Sequence, residues 1–379
     1  MADSRKAVIA AVHPLAGGVA QFNSAMARAM AKTSDLEVLS WRRLYPPFLY
    51  RGQVLDPTAP HRDGPAASFI LDWHDPRTWR RAIRRVREFE PRAVVLPWVH
   101  PVMTPPYRYL LRHLPKASVR VVICHNVIPH ETVPGARRAA RAVLRHADVL
   151  VTHAPQQRVE LDALGLTSAT VVETFHPRFA AEDFAPAVSE AERSEERRRH
   201  GNPDLLLLTF GAIRPYKGVD LALEALARVN RRLRVRLVVA GRSWGCADDL
   251  RRQAERLGLD ERVEFRDRFV PGEEAALLFA AADASLLPYR SATQSGVVQL
   301  SFAYGRPVVA TRVGGLPAAV EDGVNGLLCE PDVSSLARAI ELMAERHGEL
   351  GDGVRTTAGP TSFDSYCAEL DEAVARAAA

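Results

Sequence analysis

The chain has 379 residues, 47% of them hydrophobic and 25% charged, which is too long for one ordinary core, suits two globular domains and excludes disorder as the dominant state. A formal net charge of +5 suits phosphate-bearing ligands or an anionic membrane without choosing between them, and GC-rich coding is the bland reading of the arginine excess. The four cysteines (Cys124, Cys246, Cys329, Cys367) lie far apart with no CxxC pair, which argues against a disulfide framework or a zinc site.

The apolar run at 7–12 is too short for a signal peptide, and no run approaches the ~18 residues of a bilayer span, so a cytoplasmic protein is expected. In chain order, strands are predicted at 7–12, 37–40, 93–97, Val119–Cys124, Val149–Thr152 and Thr170–Glu173. Helical patterns with outward arginines lie between them at 21–31, 78–88 and 135–145. Continuous apolar strands separated by helices predict a parallel sheet covered on both faces. The charged stretch 185–204 lacks aromatics, ends in turn residues and reads as an interdomain connection.

The alternation then restarts. Strands are predicted at 205–213, 234–241, 262–267, 284–289, 306–311 and Gly326–Cys329, with helices at 219–229, 247–257, 273–282, 296–304 and 333–346. Two Rossmann-like domains follow, over 1–190 and 204–358. A last helix at 361–376, after the Gly359-Pro360 break, is expected to return to the first domain.

Ligands of open parallel sheets bind beyond the carboxyl ends of the strands. After the first strand, Gly17-Gly18 open a helix, where backbone amides can approach an anion. This is not the GxGxxG fingerprint, and NAD chemistry is disfavoured. His125 follows the strand ending at Cys124, in a stretch that reaches His130-Glu131 without zincin spacing. Arg214-Pro215-Tyr216-Lys217-Gly218 places two cations in a strand-to-helix loop, where a diphosphate could be gripped. Gln294-Ser295-Gly296-Val297 opens another helix with free amides.

The order Gly211…Arg214-Pro215-Tyr216-Lys217-Gly218, Val239-Ala240-Gly241, Gln294-Ser295-Gly296-Val297, Gly305-Arg306-Pro307, Gly314-Gly315-Leu316-Pro317 and Glu321-Asp322-Gly323 resembles the GT-B glycosyltransferases, specifically the retaining family 4, also called glycosyl transferases group 1. Gly17-Gly18 and the His125-Asn126 stretch resemble that family's acceptor-domain landmarks. The resemblance implies an α/β fold of two Rossmann-like domains facing each other across a cleft, with a nucleoside-diphosphate sugar as co-substrate, no cofactor and no metal. It places Arg214, Lys217, Gly296 and Val297 on the diphosphate, with Arg268 and Phe269 near the base. It also puts Gly241 in the donor site, Gly17 and Gly18 against the donor, and His125 near the transferred sugar.

One departure stands out. The two glutamates that family 4 members often carry eight positions apart fall at Ala292 and Leu300, so Gln294, Ser295 or Gln299 would have to substitute. The acceptor is not named by the sequence. Basic-aromatic segments at 41–51 and 107–120 can rest on anionic lipid headgroups, or can pack their aromatics inward. A catalytically silent sugar-nucleotide-binding subunit and a GT-B epimerase are the competing readings. Nucleic-acid binding is disfavoured because the basic residues carry no recognition motif.

Overall fold

The computed structural model describes residues 5–46, 55, 65–129, 133–166, 168–181, 187–357 and 362–379. They divide into two compact units. One runs to Pro177 and takes in residues 362–379, and the other runs from Arg178 to residue 357.

In the first unit, β1 (Lys6–Ile9), β2 (Leu36–Arg43), β3 (Ala67–Asp72), β4 (Ala93–Trp98), β5 (Val119–Cys124), β6 (Val149–Thr152) and β7 (Thr170–Glu173) form one parallel sheet, in the order β3-β2-β1-β4-β5-β6-β7. Every residue of β1, β4 and β6 is buried, as strands covered on both faces must be. The helix α1 (Gly18–Ala31) leads from β1 to β2. The helices α2 (Pro76–Phe89), α3 (Thr104–His113) and α4 (Ala136–Leu144) cross over in the opposite direction, followed by α5 (Pro155–Asp162). Right-handed crossovers running opposite ways along a sheet land on opposite faces, so α2, α3 and α4 pack side by side on one face. On the other face α1 packs against the C-terminal helix (Phe363–Ala378), with Lys6–Asp371 at 2.5 Å and Lys32–Asp364 at 2.9 Å.

β3, α3 and α5 are absent from the sequence expectation. β3 is a half-buried edge strand with weak contrast between its faces. α3 and α5 start with prolines that read as breaks, yet a proline in the first turn forfeits no helical hydrogen bond.

The second unit contains α6 (Glu190–Arg199), β8 (Leu205–Phe210), α7 (Val219–Arg228), β9 (Val235–Ala240), α8 (Ala247–Arg256), β10 (Val263–Arg266) and α9 (Gly272–Ala281). These are followed by β11 (Ala284–Leu287), α10 (Gly296–Ala303), β12 (Val308–Thr311), α11 (Leu316–Ala319), β13 (Gly326–Cys329) and α12 (Val333–Thr356). Its strands are all parallel, in the order β10-β9-β8-β11-β12-β13.

Two sequence expectations are corrected here. The stretch read as a connection contains α6, started by a Ser189–Glu192 capping box and packed against α9, so the boundary falls after Pro177 and not near residue 190. Glu196 of α6 is buried, where it meets Arg266 at 3.0 Å and His200 at 3.3 Å. His200 in turn lies 3.1 Å from Glu264. The helix expected to stop at Arg346 continues to Thr356. Its late glycines look like a break but serve close packing, since a Cβ on Gly353 would lie 1.8 Å from the Val324 carbonyl oxygen.

Among the described residues no helix is long and apolar enough to cross a membrane.

Candidate active site

Both sheets reverse their strand order once, between β1 and β4 in the first unit and between β8 and β11 in the second. The loops after those strands are where an open α/β sheet places its ligand.

In the second unit, the loop after β8 tightens into a single 3-10 turn at Pro215–Lys217 and enters α7 through Gly218. Gly218 has φ +64, and a Cβ there would lie 1.9 Å from the Pro288 carbonyl oxygen, so the loops after β8 and β11 touch backbone to backbone. The Arg290 amide donates to the Tyr216 carbonyl at 2.7 Å, and the Arg290 guanidinium grips Asp220 through two bonds of 2.6 and 2.7 Å.

Lys217 is buried at 9% exposure. Its Nζ donates to the Phe210 carbonyl at 3.2 Å and lies 5.2 Å from the centre of the Tyr289 ring. Burial opposes the charge, but Tyr289 and Tyr216 outweigh it and hold the pKa above the ordinary lysine value, so the side chain is an ammonium at neutral pH. The largest electrostatic influences on it come from Tyr289, Tyr216 and Arg214, none of them a carboxylate. A buried cation without an anion is costly, and the arrangement suits a ligand that brings negative charge.

Arg214 belongs to the same loop but has different surroundings. Its guanidinium lies 4.2 Å over the Trp244 ring, and it lines a groove of about 490 Å3 with Tyr216, Asp220, Cys246 and Gln253. Arg214 is near enough for its charge to oppose that of Lys217.

The loop after β11 leads into α10. Ser295 occupies the N-cap position but makes no side-chain cap bond, and Gly296 is exposed. The Gln294 Oε1 is buried without a partner. The loop is held from behind by Gly314, whose φ is +53 and where a Cβ would fall 1.5 Å from the Ala292 carbonyl oxygen. Ala292 and Leu300, the positions of the missing glutamates, are both buried in apolar clusters. Gln299 is buried as well, at 8% exposure.

The loops after β9 and β10 are joined by Ser243, whose amide and hydroxyl donate to the Asp267 carboxylate at 2.6 and 2.8 Å. Gly241 has φ +147 and approaches Gly211 so closely that a Cβ would lie 1.9 Å from the Gly211 carbonyl oxygen. The exposed Arg268 pairs with Glu274 at 2.7 Å and donates to the Phe269 carbonyl at 3.2 Å.

In the first unit, the loop after β1 is pinned to α1: the His13 amide donates to Ser24 Oγ at 2.9 Å, and Asn23 donates to the Ala11 carbonyl at 2.9 Å. Gly17 is the N-cap of α1 at φ +113, and neither Gly17 nor Gly18 would meet any atom with an added Cβ, which leaves open space in front of uncapped amides.

His125 directly follows β5, and His153 directly follows β6. Gln157 on α5 staples the two strand ends, donating to the Cys124 and His125 carbonyls at 2.7 and 3.0 Å and accepting from the His153 amide at 2.7 Å. Phe22 packs edge-on against His125, with centroids 4.8 Å apart. The C-terminal helix contributes the Tyr366 hydroxyl, 2.9 Å from His153 Nε2. Burial, followed by the neighbouring His176, pushes the His125 pKa down to about 3. Burial pushes His153 well below its usual value and His176 down to about 4. His125 is therefore neutral at pH 7, with a buried Nε2 that has no partner, and acts chemically as a hydrogen-bonding group and not as a proton store.

Sequence reasoning missed Tyr289, Trp244, the Asp220–Arg290 pair, the Ser243–Asp267 bridge, Gln157 and Tyr366. Only the Tyr289-Arg290 strand end carried a signal, as a polar break after an apolar run. The aromatic residues Trp41 and Tyr107, weighed as lipid contacts, are packed at 0% and 2% exposure with their rings 6.0 Å apart. Residues 47–51, His130 and Glu131 lie outside the described residues. Among the described residues no group of three or more potential ligands could hold a metal.

Residues 204–346 match the family model Glycosyl transferases group 1. D-inositol 3-phosphate glycosyltransferases from Geodermatophilus obscurus and Mycobacterium marinum are each 33% identical to this chain, over 248 and 209 residues. Those stretches cover 62% and 52% of this chain and 54% and 42% of theirs, so the chain spans about half the length of the curated relatives it matches. Among solved structures, Anabaena HepE in complex with UDP has a TM-score of 0.73 at 17% identity, covering 97% of this chain and 99% of that one. Sucrose-phosphate synthase from Thermosynechococcus elongatus has a TM-score of 0.71 at 17% identity, with 98% of each chain covered. By its two parallel sheets and these likenesses the chain has the GT-B fold, and its residues 204–346 match the glycosyl transferases group 1 model.

Proposed function

We propose that this chain is a family 4 glycosyltransferase that moves a sugar, with retention, from a nucleoside diphosphate to an acceptor. The observation that carries the reading is Lys217: a buried ammonium, charged at neutral pH, whose largest electrostatic influences include no carboxylate, at the strand end where such folds bind phosphates. Breaking the bond between sugar and diphosphate builds negative charge on the leaving group. Lys217, Arg214 and the amides at Gly296 and Val297 meet that charge as it develops, and the chemistry asks for no metal. Gln294 takes up the hydroxyl-binding task that glutamates perform elsewhere in the family. Arg268 and Phe269 face the base, Gly241 leaves room for the donor, and Gly17 and Gly18 bring amides to it. The neutral His125 hydrogen-bonds the transferred sugar. The retaining outcome comes from the family resemblance.

The curated relatives named above are glycosyltransferases, and HepE was solved with UDP, which makes a uridine donor the first to test. A cytoplasmic location with contact to an anionic membrane belongs to the same reading. The buried Ala292 and Leu300, in place of acids, favour one competitor, a silent sugar-nucleotide-binding subunit. Thermal-shift measurements with UDP-, GDP- and dTDP-sugars, followed by turnover with the donor that binds, decide between them. A raised melting temperature with one donor, together with sugar release, is expected. No shift with any donor sinks the proposal, and a shift without turnover assigns the silent subunit.

A further inference from the structure

We infer that Asp220 and Arg290 are a positioning pair, which sets Lys217 against the amides of α10 without either residue touching the donor. This role rests on the donor reading proposed above and falls to two residues that the reading does not use. Lys217 belongs to the loop after β8, whereas Gly296 and Val297 start the helix that follows the loop after β11. A diphosphate held by both needs the two loops at a fixed separation. A misplacement of about 1 Å is enough to spoil such a grip.

Two kinds of tie join the loops. The first is made by the backbone and by rings. The Arg290 amide donates to the Tyr216 carbonyl at 2.7 Å, and Gly218 lies against the Pro288 carbonyl. The Tyr216 and Tyr289 rings meet edge-on with centroids 6.2 Å apart. Thr311 Oγ1 donates to the Tyr289 carbonyl at 2.6 Å, which fixes the point from which Arg290 departs. The second tie is the ion pair. Arg290 Nη1 donates to Asp220 Oδ1 at 2.6 Å and Nη2 to Oδ2 at 2.7 Å, and Nη1 also reaches the Pro215 carbonyl at 3.4 Å. Pro215 opens the turn that carries Lys217, and Asp220 lies in the first turn of α7, which that turn leads into. One guanidinium thus holds the lysine turn at both ends.

The charges point to holding and not to gripping. Burial opposes the charge on Asp220, but the bond to Arg290 outweighs it and keeps the carboxyl below its usual range. That bond in turn raises the Arg290 pKa, so both partners are ionised. The carboxylate cancels the attraction that Arg290 would exert on an anion. An arginine placed to bind phosphate gains nothing from such a partner, whereas one placed to hold a loop needs it. Two parallel bonds fix an angle as well as a distance.

The two roles predict opposite signs. Binding of UDP, GDP and dTDP to the full chain is measured by titration calorimetry for the parent, Asp220→Asn, Arg290→Gln and the double variant. Each single change should weaken the nucleotide that the parent binds by about tenfold. The double variant should be no worse than either, because residues that act as a unit lose their effect together. Arg290→Lys keeps the charge without the fork and should behave like Arg290→Gln. Melting temperatures should stay within about 3 °C of the parent, since side chains 47% and 41% exposed form a pair that adds little stability. A merely structural pair would do the reverse, lowering the melting temperature and leaving affinity alone. If Arg290 gripped the phosphates itself, Asp220→Asn would unmask it and tighten binding. Tighter binding by Asp220→Asn, losses that add in the double variant, parental affinity in Arg290→Lys, or unchanged affinity in both single variants would each overturn the positioning role and leave the donor reading intact. A parent chain that binds none of the three nucleotides sinks that reading and the positioning role with it.

Discussion

The first unit ends two neighbouring strands in His125 and His153, which burial keeps neutral, whereas the second follows its central strand with a turn that buries Lys217 together with its charge. The two sheets are wound in the same order, but β5 and β6 hold the places of β12 and β13 and not that of β8. The surroundings differ as well. Around the histidines stand Phe22, Tyr366 and Phe363, which supply apolar contact and one hydroxyl. Around Lys217 stand a carbonyl oxygen, a phenol ring and glycines that bring the backbone close. A neutral, hydrogen-bonding pocket matches sugar hydroxyls, and a cationic one matches a diphosphate.

The sharpest way to break that contrast is to remove the lysine charge and leave its bulk. Lys217→Met should lower kcat/KM by about 10^2–10^3, the loss that follows removal of one oxyanion partner. The same variant should melt no lower than the parent, because an unbalanced buried cation costs stability that an apolar side chain does not. Turnover near the parental rate would show that the charge has no part in transfer.

A pH series sharpens the comparison further. The histidines of the first unit have folded pKa values below the unfolded one, so the unfolded chain binds more protons. Stability of that unit should fall as pH drops from about 6.5 toward 4. In the second unit Glu196 and Glu264, held at about 2 chiefly by His200, raise the His200 pKa against burial. The His200 contribution is present below about 6.5 and is lost as pH rises through its folded value. The two carboxylates keep their contribution until pH falls from about 4.5 toward 2. Hydrogen exchange of the intact chain should therefore show β5 and β6 losing protection between pH 6.5 and 4.5 while α6 and β10 hold theirs. Parallel loss in both units would refute the assignment.

The smallest effect concerns one hydroxyl. Tyr366→Phe removes the bond to His153 Nε2 and should cost about 1 kcal/mol, seen as about 2–4 °C in melting temperature. An unchanged melting temperature would mean that the C-terminal helix is held by its apolar contacts and ion pairs alone.

Much of the fold was legible because its signals are local. The runs at Val119–Cys124 and Val149–Thr152 are strands with the expected bounds, since a strand buried on both faces is largely apolar, and the partly exposed edge strand Thr170–Glu173 also keeps its expected bounds. Proline hid α3 and α5, and glycine hid the second half of α12, because the same residue types end helices and also permit their starts and close contacts. Of the candidate site, Lys217 was legible from its place between strand and helix, but its burial and the absence of a partner carboxylate were not.

By itself the sequence determined the strand-helix alternation, the two sheets and the loops that carry glycine and cations, because periodicity and turn chemistry are properties of neighbouring residues. Only the tertiary structure decided which side chains share a pocket. The Tyr366 hydroxyl reaches His153 across 213 positions, Arg214 finds Trp244, and α6 leaves the role of a linker to bury Glu196 beside Arg266. Such pairings depend on where the sheet brings distant loops together, and burial there sets the charge state that the chemistry uses.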